Sequence, residues 1–198
     1  MIPKPILLKK YNAGNSMQEI ATGLRCSLHK VKYWMDKHKI PTRTISEAIY
    51  TKRNPDGDPF KVKAPANKEE SFLKGLGLGL YWGEGTKANK VSVRLGNTDP
   101  VLIDHFIKFL VKCYEVEKED MKFGLQLFND INPQEALRFW KDHLKVNKNQ
   151  FQKVVVTPPR GVGTYKKKVK YGVLTVYYNN KKLRDIICEE LKELGFYG

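Results

Sequence analysis

The chain has 198 residues, 41% of them hydrophobic and 11% aromatic, which supports a packed core and excludes wholesale disorder. Its 36 Lys and Arg against 21 Asp and Glu leave a formal net charge of +15, so a polyanion is the first partner class and nucleic acid the first polyanion. No apolar run reaches the roughly 18 residues of a membrane span, and no basic amphipathic helix with a broad apolar face stands out, so no membrane partner is expected. The start, Met1-Ile2-Pro3-Lys4-Pro5, lacks the charged-then-apolar layout of a secretory signal. The cysteines, Cys26, Cys113 and Cys188, are few and widely spaced. That pattern fits a reducing compartment, and the expected location is cytoplasmic, with nucleoid association in a bacterium or archaeon.

The first fifty residues read as short helices. Pro5 to Tyr11 carries Ile6, Leu7 and Leu8 and is broken by Asn12-Ala13-Gly14-Asn15. Ser16-Met17-Gln18-Glu19 matches a capping box, and the helix it opens carries Ile20, Ala21 and Leu24. Arg25-Cys26 predicts a tight turn. Ser27 then caps a helix over Leu28 to His38 with Val31, Trp34 and Met35 inward, and Pro41 stops it. Two short helices on a tight turn, the second bearing His29, Lys30, Lys32, Tyr33 and Lys37, form the layout of a helix-turn-helix. One face buries against its partner and the other offers long polar side chains to a major groove. A plain three-helix bundle with a solvated basic face has the same pattern.

Residues 51–68, rich in Pro, Asp, Gly and Lys, read as a linker between a helix-turn-helix domain over 1–50 and a larger domain over 69–198; both parts are basic. The larger part alternates helices and strands. A helix runs from about Lys68 to Gly83. Val91, Val93 and Leu95 alternate with Ser92 and Arg94, a strand with one wet face. Asp99-Pro100 opens a helix carrying Leu102, Ile103, Phe106, Leu110 and Val111. Phe123, Leu125 and Leu127 mark a second strand. Asn132-Pro133 and Glu135 open a helix with Leu137, Trp140 and Leu144. Val154 to Thr157 and Val173 to Asn179 are further strands, and a helix over Lys181 to Leu194 ends at Gly195. Val91 to Asn97 and Leu174 to Asn180 form a weak internal echo, each a strand ending in Asn before a helix. The fold class expected is α+β.

The most informative stretch runs from Leu73 to Lys87 and holds Gly75, Gly77, Gly79 and Gly83. Each glycine inside a helix costs about 1 kcal/mol relative to alanine. Gly75, Gly79 and Gly83, four apart, share one helical face, where another backbone can approach closely. That face, with Tyr81 and Trp82, is the expected dimer interface, while Leu73, Leu76 and Leu80 on neighbouring faces pack inward. Glu84 ends the helix, where the macrodipole disfavours an anion. If two such helices pair about a two-fold axis, two copies of Glu84 meet there and repel unless a divalent cation sits by them. A surface acid closing a turn is the alternative. The order Gly85-Thr86-Lys87 does not fit a phosphate loop, and no strand precedes the glycines as a dinucleotide fingerprint requires.

Leu78-Gly79-Leu80-Tyr81-Trp82-Gly83-Glu84-Gly85 resembles a variant of the LAGLIDADG motif of homing endonucleases. The elements that follow are similar too: the strand ending Gly96-Asn97-Thr98-Asp99-Pro100 before an amphipathic helix, the Phe139-Trp140 helix, and the Tyr171-Gly172-Val173 strand before a closing helix. The resemblance covers about residues 69–195. It implies a curved antiparallel sheet lying in the DNA major groove and a motif helix at a two-fold interface. It also implies that the motif's last acid, here Glu84 with Gly83 beside it, binds a divalent metal such as Mg²⁺. Glu84 stands where Asp is commoner in the family. A single motif copy implies a homodimer on a near-palindromic site, and an N-terminal helix-turn-helix is not the family's commonest arrangement.

Under that reading the outward strand residues Arg94, Lys122 and Gln126, with Thr175 and Tyr177 or their alternates, contact DNA; Arg and Gln read base edges bidentately. The loop holding Arg160, Lys166, Lys167, Lys168 and Lys170 contacts phosphates, or is simply solvated. Lys87 and Lys90, just past Glu84, are candidates to stabilise charge on the scissile phosphate. His29, His38, His105 and His143 show no zinc-ligand spacing with the cysteines, and no small-molecule cofactor is expected. The expectation is a homodimeric, Mg²⁺-dependent endonuclease of double-stranded DNA. A DNA-binding transcriptional regulator on the same scaffold and an RNA-processing nuclease of related fold are the alternatives.

Overall fold

The computed structural model describes residues 1–158 and 170–196. Internal contacts divide the chain into two compact units, Met1–Pro59 and Phe60–Gly198.

The first unit is all helical: α1 Lys4–Asn12, α2 Met17–Gly23, α3 Leu28–Lys37 and α4 Ile45–Arg53. Its core gathers Leu7, Tyr11, Ile20, Ala21, Val31, Met35 and Ile40. The Ser16–Glu19 capping box is present, and the Ser27 hydroxyl accepts from Lys30 N–H. Arg25, at φ 49°, takes the left-handed conformation that turns α2 into α3. Sequence periodicity does not reveal α4, because α4 buries no residue. Its start is set by a second capping box, Thr44 with Glu47. The Arg43 guanidinium, 3.9 Å above the Tyr11 ring, ties the segment before it to the core.

The second unit runs α5 Lys68–Glu84, β1 Val93–Asn97, α6 Pro100–Tyr114, β2 Lys122–Phe128, α7 Pro133–Leu144, β3 Val155–Thr157, β4 Val173–Tyr178 and α8 Lys181–Glu193. Residues 51–68 are therefore not one linker. Residues 51–53 finish α4. Phe60 is buried in the second core, and Lys61 and Lys63 N–H donate to the carbonyls of Tyr114 and Cys113 at 2.9 Å. An apolar ring and an extended backbone pairing outweigh the loop-like composition.

The sheet has the order β1-β4-β2-β3. β4 is antiparallel to β1 and to β2, but β3 is parallel to β2, so the sheet is mixed rather than antiparallel. The cause is the connection: β2 reaches β3 through α7, the crossover that parallel neighbours require. The two echo segments are neighbours, with Leu95 facing Val176 and Val93 facing Tyr178, each strand leading into a helix.

Val93, Leu95, Phe123, Leu125, Leu127, Leu174, Val176 and Tyr178 point to one face and join the buried sides of α5, α6, α7 and α8 in a single core. Asp99, Asn132 and Asn180 cap α6, α7 and α8 through their side chains. The alternation expected for 91–95 fails at its start. Val91 is exposed and Ser92 fully buried, because both lie in a turn before β1 where the Asn89 side chain accepts their N–H groups.

Inside the helical layer, Glu190 of α8 accepts from Lys74 Nζ of α5 at 2.8 Å and from the Tyr114 hydroxyl of α6 at 2.5 Å. Burial, reinforced by Glu190, pushes the Tyr114 phenol far above its ordinary range. Among the described residues no helix is long and apolar enough to cross a membrane.

Candidate nucleic-acid interface

Two surfaces carry the side chains singled out by sequence. On the first unit, α3 turns Val31 and Met35 inward, which leaves His29, Lys30, Lys32, Tyr33 and Lys37 exposed. Lys37 Nζ lies 5.7 Å from the ring centroids of both Tyr33 and Trp34, so the aromatics hold the cation close to the helix. The four residues 24–27 join α2 to α3, and Cys26 N–H donates to the Ala21 carbonyl at 2.9 Å.

On the second unit, the sheet face opposite the core presents side chains in rows fixed by register. Arg94, Tyr177 and Lys122 form one row, Gly96, Thr175 and Gly124 the next, and Val173, Gln126 and Val155 a third. All five strand residues named from sequence thus share one face, and the phase of β4 is settled as Thr175 and Tyr177 outward with Leu174 and Val176 inward. The glycines flank the larger side chains: a Cβ on Gly124 would come within 2.8 Å of the Tyr177 ring, and one on Gly96 within 2.9 Å of Thr175 Oγ1. Both outer side chains therefore lie down over glycine. Gln126 Nε2 donates to Thr157 Oγ1 at 3.3 Å. Lys170 is exposed, and a hydrogen bond with Tyr171 raises its pKa. Arg160, Lys166, Lys167 and Lys168 lie outside the described residues.

The glycine helix divides its glycines between two faces. Gly77 is buried against α6, where a Cβ would sit 2.0 Å from Phe109 Cγ. Gly75, Gly79 and Gly83 face open space, with nothing among the described residues within 4 Å of an added Cβ. Phe72, 70% exposed, and Trp82, 45% exposed, accompany them, and Phe196 stacks on Trp82 at 4.7 Å. Phe72 and Phe196 were not anticipated; for Phe72 the signal lay in its spacing of three from Gly75. Tyr81 does not belong to this surface. It is fully buried, stacked with Phe106 at 6.1 Å, since it falls on the core side of α5 with Gly77 and Leu78.

Glu84 closes α5, exposed and without a hydrogen bond or ion pair among the described residues. The turn after it is forced: a Cβ on Gly85 would lie 2.3 Å from the Tyr81 carbonyl oxygen. Gly85 bridges to Leu95, and Thr86 N–H donates to the Arg94 carbonyl at 2.9 Å, which sets the acid beside the β1 edge of the sheet. Lys87 lies three residues past the acid. Its Nζ donates to the Trp82 carbonyl and so caps the helix end, and Arg184 Nη2 grips its own carbonyl at 2.6 Å. Asp185 holds Arg184 from the far side; burial raises the Asp185 pKa, but bonds from Lys181 and Arg184 outweigh it and leave it lowered. Lys90 stays exposed.

Glu84 supplies one hard oxygen donor beside the negative end of a helix, which suits Mg²⁺, an ion that keeps several waters and takes one or two carboxylates plus phosphate oxygens. Among the described residues no group of three or more His, Cys, Asp or Glu side chains gathers. Comparison with protein-family models, with curated proteins and with solved structures finds no match.

Proposed function

We propose that this chain is a homodimeric, metal-dependent endonuclease of double-stranded DNA, of LAGLIDADG type, with α2 and α3 acting as a helix-turn-helix that extends the site. The observation that carries this reading is the vacancy along Gly75, Gly79 and Gly83, which leads to Glu84, exposed and without a partner among the described residues, beside a basic sheet face. A second copy of α5 packs along the vacancy and brings the two Glu84 carboxylates together. The outward residues of both sheets then lie on the same duplex, and α3 adds contacts through His29, Lys30, Lys32, Tyr33 and Lys37. Glu84, with Gly83 beside it, holds the divalent ion, which supplies water activation and leaving-oxygen stabilisation. Lys87 and Lys90, just past Glu84, are the cations proposed to meet the scissile phosphate.

The test incubates purified protein with Mg²⁺ and a pool of duplexes. Nicking that is lost in Glu84→Gln while binding persists supports the proposal. Tight duplex binding with no cleavage of any member points to a regulator, a reading favoured by the exposed basic face of α3, which needs no metal. Preference for structured RNA over duplex DNA points to an RNA-processing role.

A further inference from the structure

Arg94 is held differently from Lys122 on the outward sheet face. Its Nε donates to Ser92 Oγ at 2.7 Å. Ser92 is fully buried, and its hydroxyl donates in turn to Asn89 Oδ1 at 3.1 Å. That same oxygen accepts the backbone N–H groups of Val91 and Ser92, at 3.0 and 3.1 Å, which fixes the turn bearing Ser92. On its other side the guanidinium carbon lies 5.1 Å from the Tyr177 ring centroid, and Tyr177 is itself bedded on Gly124. Nη1 and Nη2 make no hydrogen bond or ion pair among the described residues. Lys122, across Tyr177 in the same row, has none of this bracing among the described residues.

A guanidinium with Nε engaged presents its Nη1–Nη2 end, two parallel donors that match O6 and N7 of guanine in the major groove. A phosphate rewards a cation over a wide range of orientations, whereas a base edge rewards it in one. Fixing the fork before binding therefore serves base reading, because the ordering is already done when the base arrives. We propose that Arg94 reads a guanine edge and that Ser92 is the positioning residue that aims it, one guanine per half-site in the dimer. The proposal rests on the DNA-binding reading above.

The experiment selects binders from a pool of randomised duplexes with the full chain at low salt, without Mg²⁺ so that binding alone is read. Wild-type protein is expected to enrich guanine at one position of each half-site. Arg94→Lys keeps the charge and loses the fork, so it should flatten that position by about 10- to 100-fold, leaving other positions and the salt dependence unchanged. Ser92→Ala should partly flatten the same position and no other; a purely structural role would weaken every position alike. If Ser92→Ala fails to fold, the Arg94→Lys profile still decides. A uniform loss across all sequences in Arg94→Lys assigns Arg94 to a phosphate and overturns the proposal. Wild-type binding with no guanine preference overturns it while leaving DNA binding intact. Absence of any duplex binding removes the DNA reading, and this proposal with it.

Discussion

Gly77 and Gly79 are two residues apart and do opposite things. At Gly77 the Phe109 ring occupies the place of a side chain, so Gly77→Ala overpacks the α5–α6 contact and should lower stability by about 1–3 kcal/mol in denaturant titration. At Gly79 the space is open, and Gly79→Ala should raise the stability of the separated chain by up to about 1 kcal/mol through helix propensity. The same substitution should weaken self-association, since the methyl group keeps a second α5 away. Sedimentation together with melting separates the two effects; a variant that dimerises as wild type would refute the close helix pairing. The capping acids titrate. Glu19 and Glu47 are held below their ordinary value of 4.5, first by the backbone N–H groups of Ser16 and Thr44. Their contribution is complete above that value and is lost as the pH falls through the lowered folded values. Acid unfolding of the helical unit, followed by circular dichroism, should therefore shift less with pH in a Glu19→Gln, Glu47→Gln double variant.

At the level of elements, three helices meet at Glu190. Lys74 and Glu190 retain about a fifth of their side-chain exposure, 20% and 18%, and Tyr114 is fully buried. Removing Glu190 leaves a largely buried ammonium and a buried phenol without their acceptor, so Glu190→Ala should cost about 3 kcal/mol. Replacing Lys74 and Glu190 together by apolar residues of similar size should cost much less, because neither charge is then left alone. A double-mutant cycle in denaturant measures the difference; additive losses would show that the pair is not coupled.

Across the whole molecule, the charge of +15, Arg94, Lys122 and the α3 cations set what the proposed duplex binding should show when salt is varied. If six or more phosphates are contacted, affinity should fall on the order of 10³-fold between about 50 and 200 mM salt. A flat response would exclude the electrostatic footprint. Solution mass should correspond to two copies. On the proposed function, chelation of divalent ions should abolish nicking and leave binding in place, because the outward sheet residues and α3 contact the duplex without the metal.

Much of the fold is written locally, because it rests on residues acting on their own neighbours. Ser16 with Glu19, Asp99-Pro100 and Asn132-Pro133 set helix starts within four residues of chain, and strict alternation at Phe123, Leu125 and Leu127 gives one strand its faces. The spacing of Gly75, Gly79 and Gly83 by four is likewise local, and so is the choice of Arg94, Lys122 and Gln126 as outward residues. What the sequence could not give depends on partners distant in the chain. Whether Gly77 or Gly79 is the filled position depends on where Phe109 of another helix arrives. The burial of Tyr81, the use of Lys87 as a cap, the bracing of Arg94 by Tyr177 and the parallel docking of β3 on β2 each join residues that only the packed tertiary structure brings within reach. Periodicity names the face of an element; it takes the meeting of two elements to decide what that face touches.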